Sequence, residues 1–325
     1  MKQRQQLLIG ITISIIFLVV FLRNTDFSQV ATALTSADIR LVLAAILIYF
    51  LGVWFRALRW KYLIKPLTDV GHRTLFPLVT IGLMVNDILP GRLGIVARSY
   101  IVGEKKNISK LASGATVITE NVLDGLALIL ILLVGIFLIP TPSIIKTIGG
   151  IAAVLFVSVF SIMLMVTYSE KKAQLVIRLV MSVAPDKWRL RISNWINLFI
   201  DGLEILRSPG ELIRIFLLSL VVWVCESTTF FLVALSLDLV VSFHAMLLVM
   251  AITSLSWTLV LVSPGGIGTF DTICKFILIE ALGVTGGLAT AFTVAIHAVL
   301  FIPVIVLGFI FLWRENLSLR EVTKS

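Results

Sequence analysis

Charge is scarce in this sequence. Asp, Glu, Lys and Arg make up 14% of its 325 residues, against about 25% in soluble domains. Hydrophobic residues make up 59%, where about 45–50% is usual. That balance excludes a soluble globular protein and leaves an integral membrane protein. Cysteine is almost absent: Cys225 and Cys274 both lie in apolar runs, where a thiol acts as a small apolar side chain, and their spacing offers no metal site. Catalytic signatures are missing too. There is no Walker A loop, no Gly-x-Gly-x-x-Gly, no His-Glu-x-x-His and no Gly-x-Ser-x-Gly, which argues against ATP-driven pumping by this chain alone and against hydrolase chemistry. The expectation is no enzyme, no cofactor and no metal. The net charge of +9 does not point to nucleic acid. The basic residues lie between apolar runs, where they set topology and meet anionic headgroups.

A hydrocarbon core of ~30 Å needs ~20 apolar residues per helix. Runs at 5–22, 40–58, 113–139, 146–168, 212–236 and 288–313 predict six full spans. Lys2 and Arg4 before the first run give it a signal-peptide look, and Ala31-Thr32-Ala33 has the small-x-small form. That triplet lies too far past the run, with Asp26 between, so the run reads as an uncleaved span. Two further runs, 75–90 and 243–262, end at matching breaks: Leu89-Pro90-Gly91-Arg92-Leu93-Gly94 and Ser263-Pro264-Gly265-Gly266-Ile267-Gly268. Proline has no N–H to donate and glycine takes dihedrals other residues avoid, so each break ends a helix. A short apolar segment follows each, 94–103 and 269–282, and each unit reads as a re-entrant hairpin. A break at membrane depth persists only inside protein or beside a wet cavity, and a matched pair, one per half, marks a transport site.

The predicted fold is therefore all-α: a polytopic helical bundle of six full spans plus two broken hairpins, in one transmembrane domain over 1–325. Its first half, 1–139, is broken at 90–94 and its second, 146–313, at 264–268, the arrangement an inverted repeat would produce. Basic residues cluster at 2–4, 56–73, 105–110, 169–211 and 314–324, whereas loops 140–145, 237–242 and 283–287 have none. Both termini are expected in the cytoplasm of a cell with this multi-pass protein in its plasma membrane. Eight full spans would force 94–110 or the tail outside against this bias. The stretch 169–211 predicts two cytoplasmic amphipathic helices split at Pro185, the second with Trp188, Ile192, Trp195, Phe199 and Leu206 along one face.

Ionisable groups inside spans are costly and so are candidates for function. They are Glu120 and Asp124, four apart on one helix face, Glu226, Asp271 with Lys275, Arg92, Arg98 and His297, with Asn86 and Asp87 just before the first break. Two readings stand. Arg92 and Arg98 pair with Glu120 and Asp124 and hold the broken helix together, or they line a cavity and grip an anionic phosphate through the planar guanidinium fork. In the second reading, backbone N–H groups freed at Gly91–Gly94 add positive potential. Arg56, Arg59, Trp60 and Lys61 read either as snorkelling anchors with an interfacial Trp or as a headgroup-binding rim. His297 reads as a packed, hydrogen-bonded side chain; His72 and His244 lie near interfaces.

These residues resemble the lysylphosphatidylglycerol synthase transmembrane-domain family. The similarity runs through Arg56-x-x-Arg59-Trp60, Asn86-x-Ile88-Leu89-Pro90-x-Arg92-x-Gly94, Arg98, Ala115-Thr116-Val117 with Glu120 and Asp124, and Pro264-Gly265-Gly266-Ile267-Gly268-Thr269-Phe270. The resemblance implies a flippase-like domain without the soluble aminoacyl-transfer part, and a glycosyltransferase or lipid-modifying enzyme as a companion. Three positions depart from the family's usual pattern: Ile95 stands in place of an acid, Asn121 in place of an Arg, and Asp271 in place of Glu. The expected function is translocation of an anionic, phosphate-bearing lipid, a phospholipid or a polyprenyl-phosphate-linked sugar. Arg92, Arg98, Arg56, Arg59 and Asn86 would bind the headgroup, and Glu120, Asp124, Glu226 and Asp271 would balance charge or carry a coupling proton. The alternative is a membrane-embedded enzyme or accessory subunit that modifies lipid-linked glycans or phospholipids, with Glu120 and Asp124 as general bases.

Overall fold

The computed structural model describes residues 26–89, 91–169, 189–259 and 264–317, with 19, 21, 171, 174, 175 and 178 as isolated positions. Regular structure among them is entirely helical: α1 (Phe27–Ser36), α2 (Ile39–Ile64), α3 (His72–Ile88), α4 (Gly94–Lys106), α5 (Lys110–Leu138), α6 (Ser143–Tyr168), α7 (Arg189–Asp201), α8 (Pro209–Ser236), α9 (Phe243–Leu259), α10 (Thr269–Glu280) and α11 (Gly286–Arg314), with 3₁₀ turns at Glu204–Arg207 and Pro264–Gly266. Five of these, α2, α5, α6, α8 and α11, are apolar and 26 to 29 residues long. At 1.5 Å per residue they measure about 39–44 Å, enough to cross a bilayer. They answer to the runs at 40–58, 113–139, 146–168, 212–236 and 288–313. The expected first span, 5–22, and the expected first amphipathic helix of 169–211 lie outside the described residues.

Local chemistry sets the ends. Asp38 caps α2 by accepting from the Arg40 N–H at 2.8 Å, and Ser109 caps α5 from the Ala112 N–H at 3.3 Å, each satisfying a donor with no partner inside its helix. Asn107 closes α4 in the left-handed conformation, which Asn tolerates better than most residues.

α2 and α8 lie antiparallel along their lengths. The Asp38 N–H bonds the Ser236 carbonyl at 2.9 Å at one end, and the Arg214 guanidinium stacks over Tyr62 at the other. α3 and α4 form one hairpin: Gly82 faces Gly94 and Arg98, and Asn86 faces Gly94. α9 and α10 form another, with Trp257 against Gly266 at the tip. The first hairpin opens where α2 and α11 end, since His72 rests on Trp54, Phe76 on Phe311, and Lys105 pairs with Glu315. The second opens at the opposite end, where α8 stops, since Phe243 meets Phe231. Their tips meet inside the bundle: Gly265 of the second break abuts the Asp87 carbonyl just before the first.

Charge separates by end. Lys61, Lys65, Arg73, Lys105, Lys106, Lys110, Arg207, Arg214 and Arg314 outnumber Asp69, Glu104, Asp201, Glu204, Glu211 and Glu315 at the end where the first hairpin opens. Arg40 and Lys146, with Asp26, Asp38, Asp238 and Glu280, mark the other. α7 lies at the basic end, where Gly202 after it abuts the Ala112 carbonyl; Phe199 is half-buried and Leu206 fully buried.

Candidate functional site

Helical periodicity assembles the site. Arg56, Arg59 and Trp60 share one face of α2; Glu120 and Asp124 share one face of α5; Ser219, Trp223 and Glu226 share one face of α8. The three faces meet in the interior. Arg59 is 0% exposed and is surrounded by acceptors: both oxygens of Asp124, with Oδ2 at 2.9 Å, Glu120 Oε1 at 2.8 Å and Ser219 Oγ at 2.7 Å. Arg98 of α4 donates to Glu120 Oε2 at 2.7 Å and lies over the Trp60 ring. Trp60 donates to Thr116 Oγ1 at 3.0 Å, and Trp223 to Asp124 Oδ1 at 3.1 Å. Arg56 bonds Glu226 Oε2 at 2.6 Å and approaches Asp124 at 3.9 Å. Three arginines and three carboxylates thus neutralise one another, the arrangement that makes buried charge tolerable.

This geometry corrects two sequence readings. Arg56, Arg59 and Trp60 are not snorkelling anchors, because α2 continues to Ile64 and carries them inside the bundle, with Trp60 0% exposed. The expected pairing of Arg92 and Arg98 with Glu120 and Asp124 is half realised. Arg98 takes Glu120, but Asp124 is occupied by Arg59, so Arg92 is left over.

Arg92 sits in the first break with φ +53°, beside Gly91 at φ +84°. A left-handed non-glycine residue is strained and persists only where its surroundings fix it. Here Arg92 donates to the Trp257 carbonyl at 3.3 Å and stacks on the Trp257 ring, joining the two tips. No carboxylate lies within ion-pair distance of it among the described residues. The sequence reading left the Gly94 N–H free to bind an anion; instead it donates to Asn86 Oδ1 at 2.8 Å. In the second break Gly265, Gly266 and Gly268 all have positive φ. Asp271 reaches back to the Gly268 N–H at 2.8 Å, while its other oxygen meets His297 Nδ1 at 2.7 Å. His297 is therefore the packed, hydrogen-bonded side chain that its sequence setting suggests.

A cavity of about 80 Å³ lies between the tips. Its walls are Tyr49 and Arg56 of α2, Asn86 and Asp87 of α3, Arg92 of the first break, Asn121 and Asp124 of α5, Trp223 and Glu226 of α8, Ser254 and Trp257 of α9, and Phe270 and Phe301. A smaller one, sharing Arg56, Asn86, Arg92 and Asn121, continues it to Arg98 and Glu120. Of the expected headgroup residues, Arg92, Arg56 and Asn86 reach the main cavity, Arg98 reaches its continuation, and Arg59 lies behind the wall. Of the expected charge-balancing acids, Asp124 and Glu226 line the main cavity and Glu120 its continuation; Asp271 does not. Asp87, a candidate named from sequence without a specific role, is on the wall too; Tyr49, Trp223, Trp257 and Ser254 are wall residues that the sequence reading missed. Trp223 carried a signal, one helical turn before Glu226. No group of three or more potential metal ligands occurs among the described residues.

The family described as the lysylphosphatidylglycerol synthase TM region matches residues 7–308. A UPF0104 membrane protein of Pyrococcus horikoshii is 26% identical over 98% of each chain. One from Methanocaldococcus jannaschii is 24% identical over 92% of this chain and 91% of its own. The glycosyltransferase AglD of Haloferax volcanii is 25% identical over 99% of this chain and 56% of its own.

Proposed function

Since this chain belongs to the lysylphosphatidylglycerol synthase TM region family, we propose that it carries the phosphate-bearing headgroup of an anionic lipid across a plasma membrane, with the basic end and both termini in the cytoplasm. One observation carries the reading: Arg92, alone among the arginines lining the central cavities in having no carboxylate partner among the described residues, stands on the wall where two oppositely opening hairpins touch. A guanidinium in that position offers two parallel bonds to phosphate. The headgroup passes along the polar walls while the acyl or prenyl chains remain in lipid, so only a narrow polar path is needed.

The cavity of about 80 Å³ has room for a few waters at ~30 Å³ each and is far below the ~300–1,000 Å³ of ligand pockets. The structure thus corresponds to a closed state in this reading. Parting of the α3–α4 tip from the α9–α10 tip admits the headgroup first from one end and then from the other, as in alternating access around a fixed site. Arg56, Asp124 and Glu226 are the neighbours that rebalance charge when phosphate reaches Arg92. A lipid-linked sugar is a cargo that fits the same chemistry, and similarity to a protein named as a glycosyltransferase favours it.

The test is leaflet exchange of a headgroup-labelled phosphatidylglycerol and of a labelled polyprenyl-phosphate sugar in vesicles containing the purified chain. Exchange that disappears in Arg92→Ala supports the proposal, and full exchange by that folded variant refutes it. Mass spectrometry of the recovered lipid separates the alternative: a new covalent product in place of leaflet exchange marks an enzyme.

A further inference from the structure

A second cavity, of about 480 Å³, lies at the basic end between α2, α3 and α11. It shares no residue with the central one. Along α11, Gly308, packed on Met84, lies between the two. Its floor is aromatic: Trp54, Phe76 and Phe311, with the Phe76 and Phe311 rings 5.9 Å apart, edge to face. Its rim carries Arg73 and Arg314, both exposed and without an acidic partner within ion-pair distance among the described residues. The one acid on the rim, Glu315, is paired with Lys105. The His72 ring meets Trp54 edge to face, and neither of its nitrogens has a hydrogen-bond partner among the described residues.

This is an unneutralised pair of guanidinium groups above an apolar floor. Trp54 is 41% and Trp313 80% exposed beside it, and exposed tryptophans favour the level of the lipid headgroups. Leu51, Phe309 and Ile310 expose further apolar surface on the same helices. A soluble anion would gain nothing from such a floor, whereas a lipid uses both parts. We infer that this groove holds one anionic phospholipid of the leaflet at the basic end, with its phosphate between Arg73 and Arg314 and its upper acyl chain on Trp54, Phe76 and Phe311. The site is separate from the proposed translocation path and does not depend on it. Because it bridges the open end of the α3–α4 hairpin to α11, the bound lipid braces that hairpin against α11.

The experiment places the full chain in nanodiscs containing equal phosphatidylglycerol and phosphatidylcholine, then counts retained lipids by native mass spectrometry. The wild type should retain phosphatidylglycerol preferentially. The double variant Arg73→Gln/Arg314→Gln should lose that preference by about fivefold per arginine, while Arg73→Lys/Arg314→Lys keeps most of it and Arg40→Gln, at the opposite end of the bundle, keeps all of it. Equal retention of the two lipids by the wild type overturns the inference, as does an unchanged preference in the double Gln variant or an equal loss of preference in Arg40→Gln. A second measurement covers a double variant that fails to fold. Chain-brominated phosphatidylglycerol should quench tryptophan fluorescence more than brominated phosphatidylcholine does, and Trp54→Phe should remove the excess. An excess that survives Trp54→Phe overturns the placement.

Discussion

Gly265 rests against the main-chain carbonyl of Asp87: a Cβ built on Gly265 would stand 2.6 Å from that oxygen and 3.1 Å from the Phe301 ring. Asp87, just before the first break, and Gly265, in the second, are brought together by this contact. It depends on the absence of a side chain and on a φ of +58° that L-residues avoid.

Gly265→Ala should therefore lower the thermal midpoint of the purified protein and reduce transport together. The left-handed backbone alone costs about 1–2 kcal/mol, and the Asp87 carbonyl cannot yield without moving α3. Gly150→Ala, in open space within α6, should leave both unchanged or raise stability slightly, because Ala favours a helix over Gly. A Gly265→Ala protein of wild-type stability and transport would show that the tips need not touch.

The α3–α4 hairpin depends on close backbone approach, as small residues allow between membrane helices. A Cβ on Gly94 would run into the Gly82 carbonyl and the Asn86 side chain, whereas one on Gly82 would meet only the aliphatic part of Arg98 and, less closely, the Gly94 carbonyl at 3.3 Å. Gly94→Ala should thus destabilise more than Gly82→Ala. The order can be read from melting curves of the two variants in one detergent.

Much of this architecture was legible in the sequence, and what was not has physical causes. Hydropathy located five spans to within a few residues because lipid demands continuous apolar length. The Pro-Gly signatures located both hairpins because few other residues end a helix so sharply. Arg56 and Arg59 were misplaced toward the membrane edge because hydropathy falls where charge begins, whereas α2 runs on to Ile64. Burial of those charges became favourable only through Glu120, Asp124 and Glu226 on other helices. The Arg92–Trp257 contact, 165 residues apart in sequence, belongs to the tertiary fold, and no local pattern announces it.

Arg59 should behave as a structural residue. Arg59→Met leaves Asp124 with Trp223 and a distant Arg56, and leaves Glu120 to Arg98 alone. Removing one partner of a buried pair costs about 3–5 kcal/mol, while replacing both with apolar groups is often neutral. Arg59→Met should thus melt far below the wild type, and Arg59→Met/Asp124→Leu should recover a large part of the loss. A double variant no more stable than the single one would mean that Arg59 is held by Glu120 and Ser219 rather than by Asp124.

Arg92 should show the opposite profile, dispensable for stability and required for transport. Its guanidinium makes one bond, to the Trp257 carbonyl, and one ring contact, while its backbone occupies the left-handed region. Arg92→Gly removes both the side chain and the backbone strain, so its thermal midpoint should equal or exceed that of Arg92→Ala. Both variants should lose headgroup exchange. Arg92→Lys keeps the charge but gives up the planar fork, so it should retain partial exchange, with slower transfer of phosphate-bearing lipid. Stopped-flow leaflet exchange beside calorimetry on the same preparations separates the two effects. If Arg92→Gly transported at the wild-type rate, the phosphate would have to be bound elsewhere on the wall, and Arg56 would be the next guanidinium to remove.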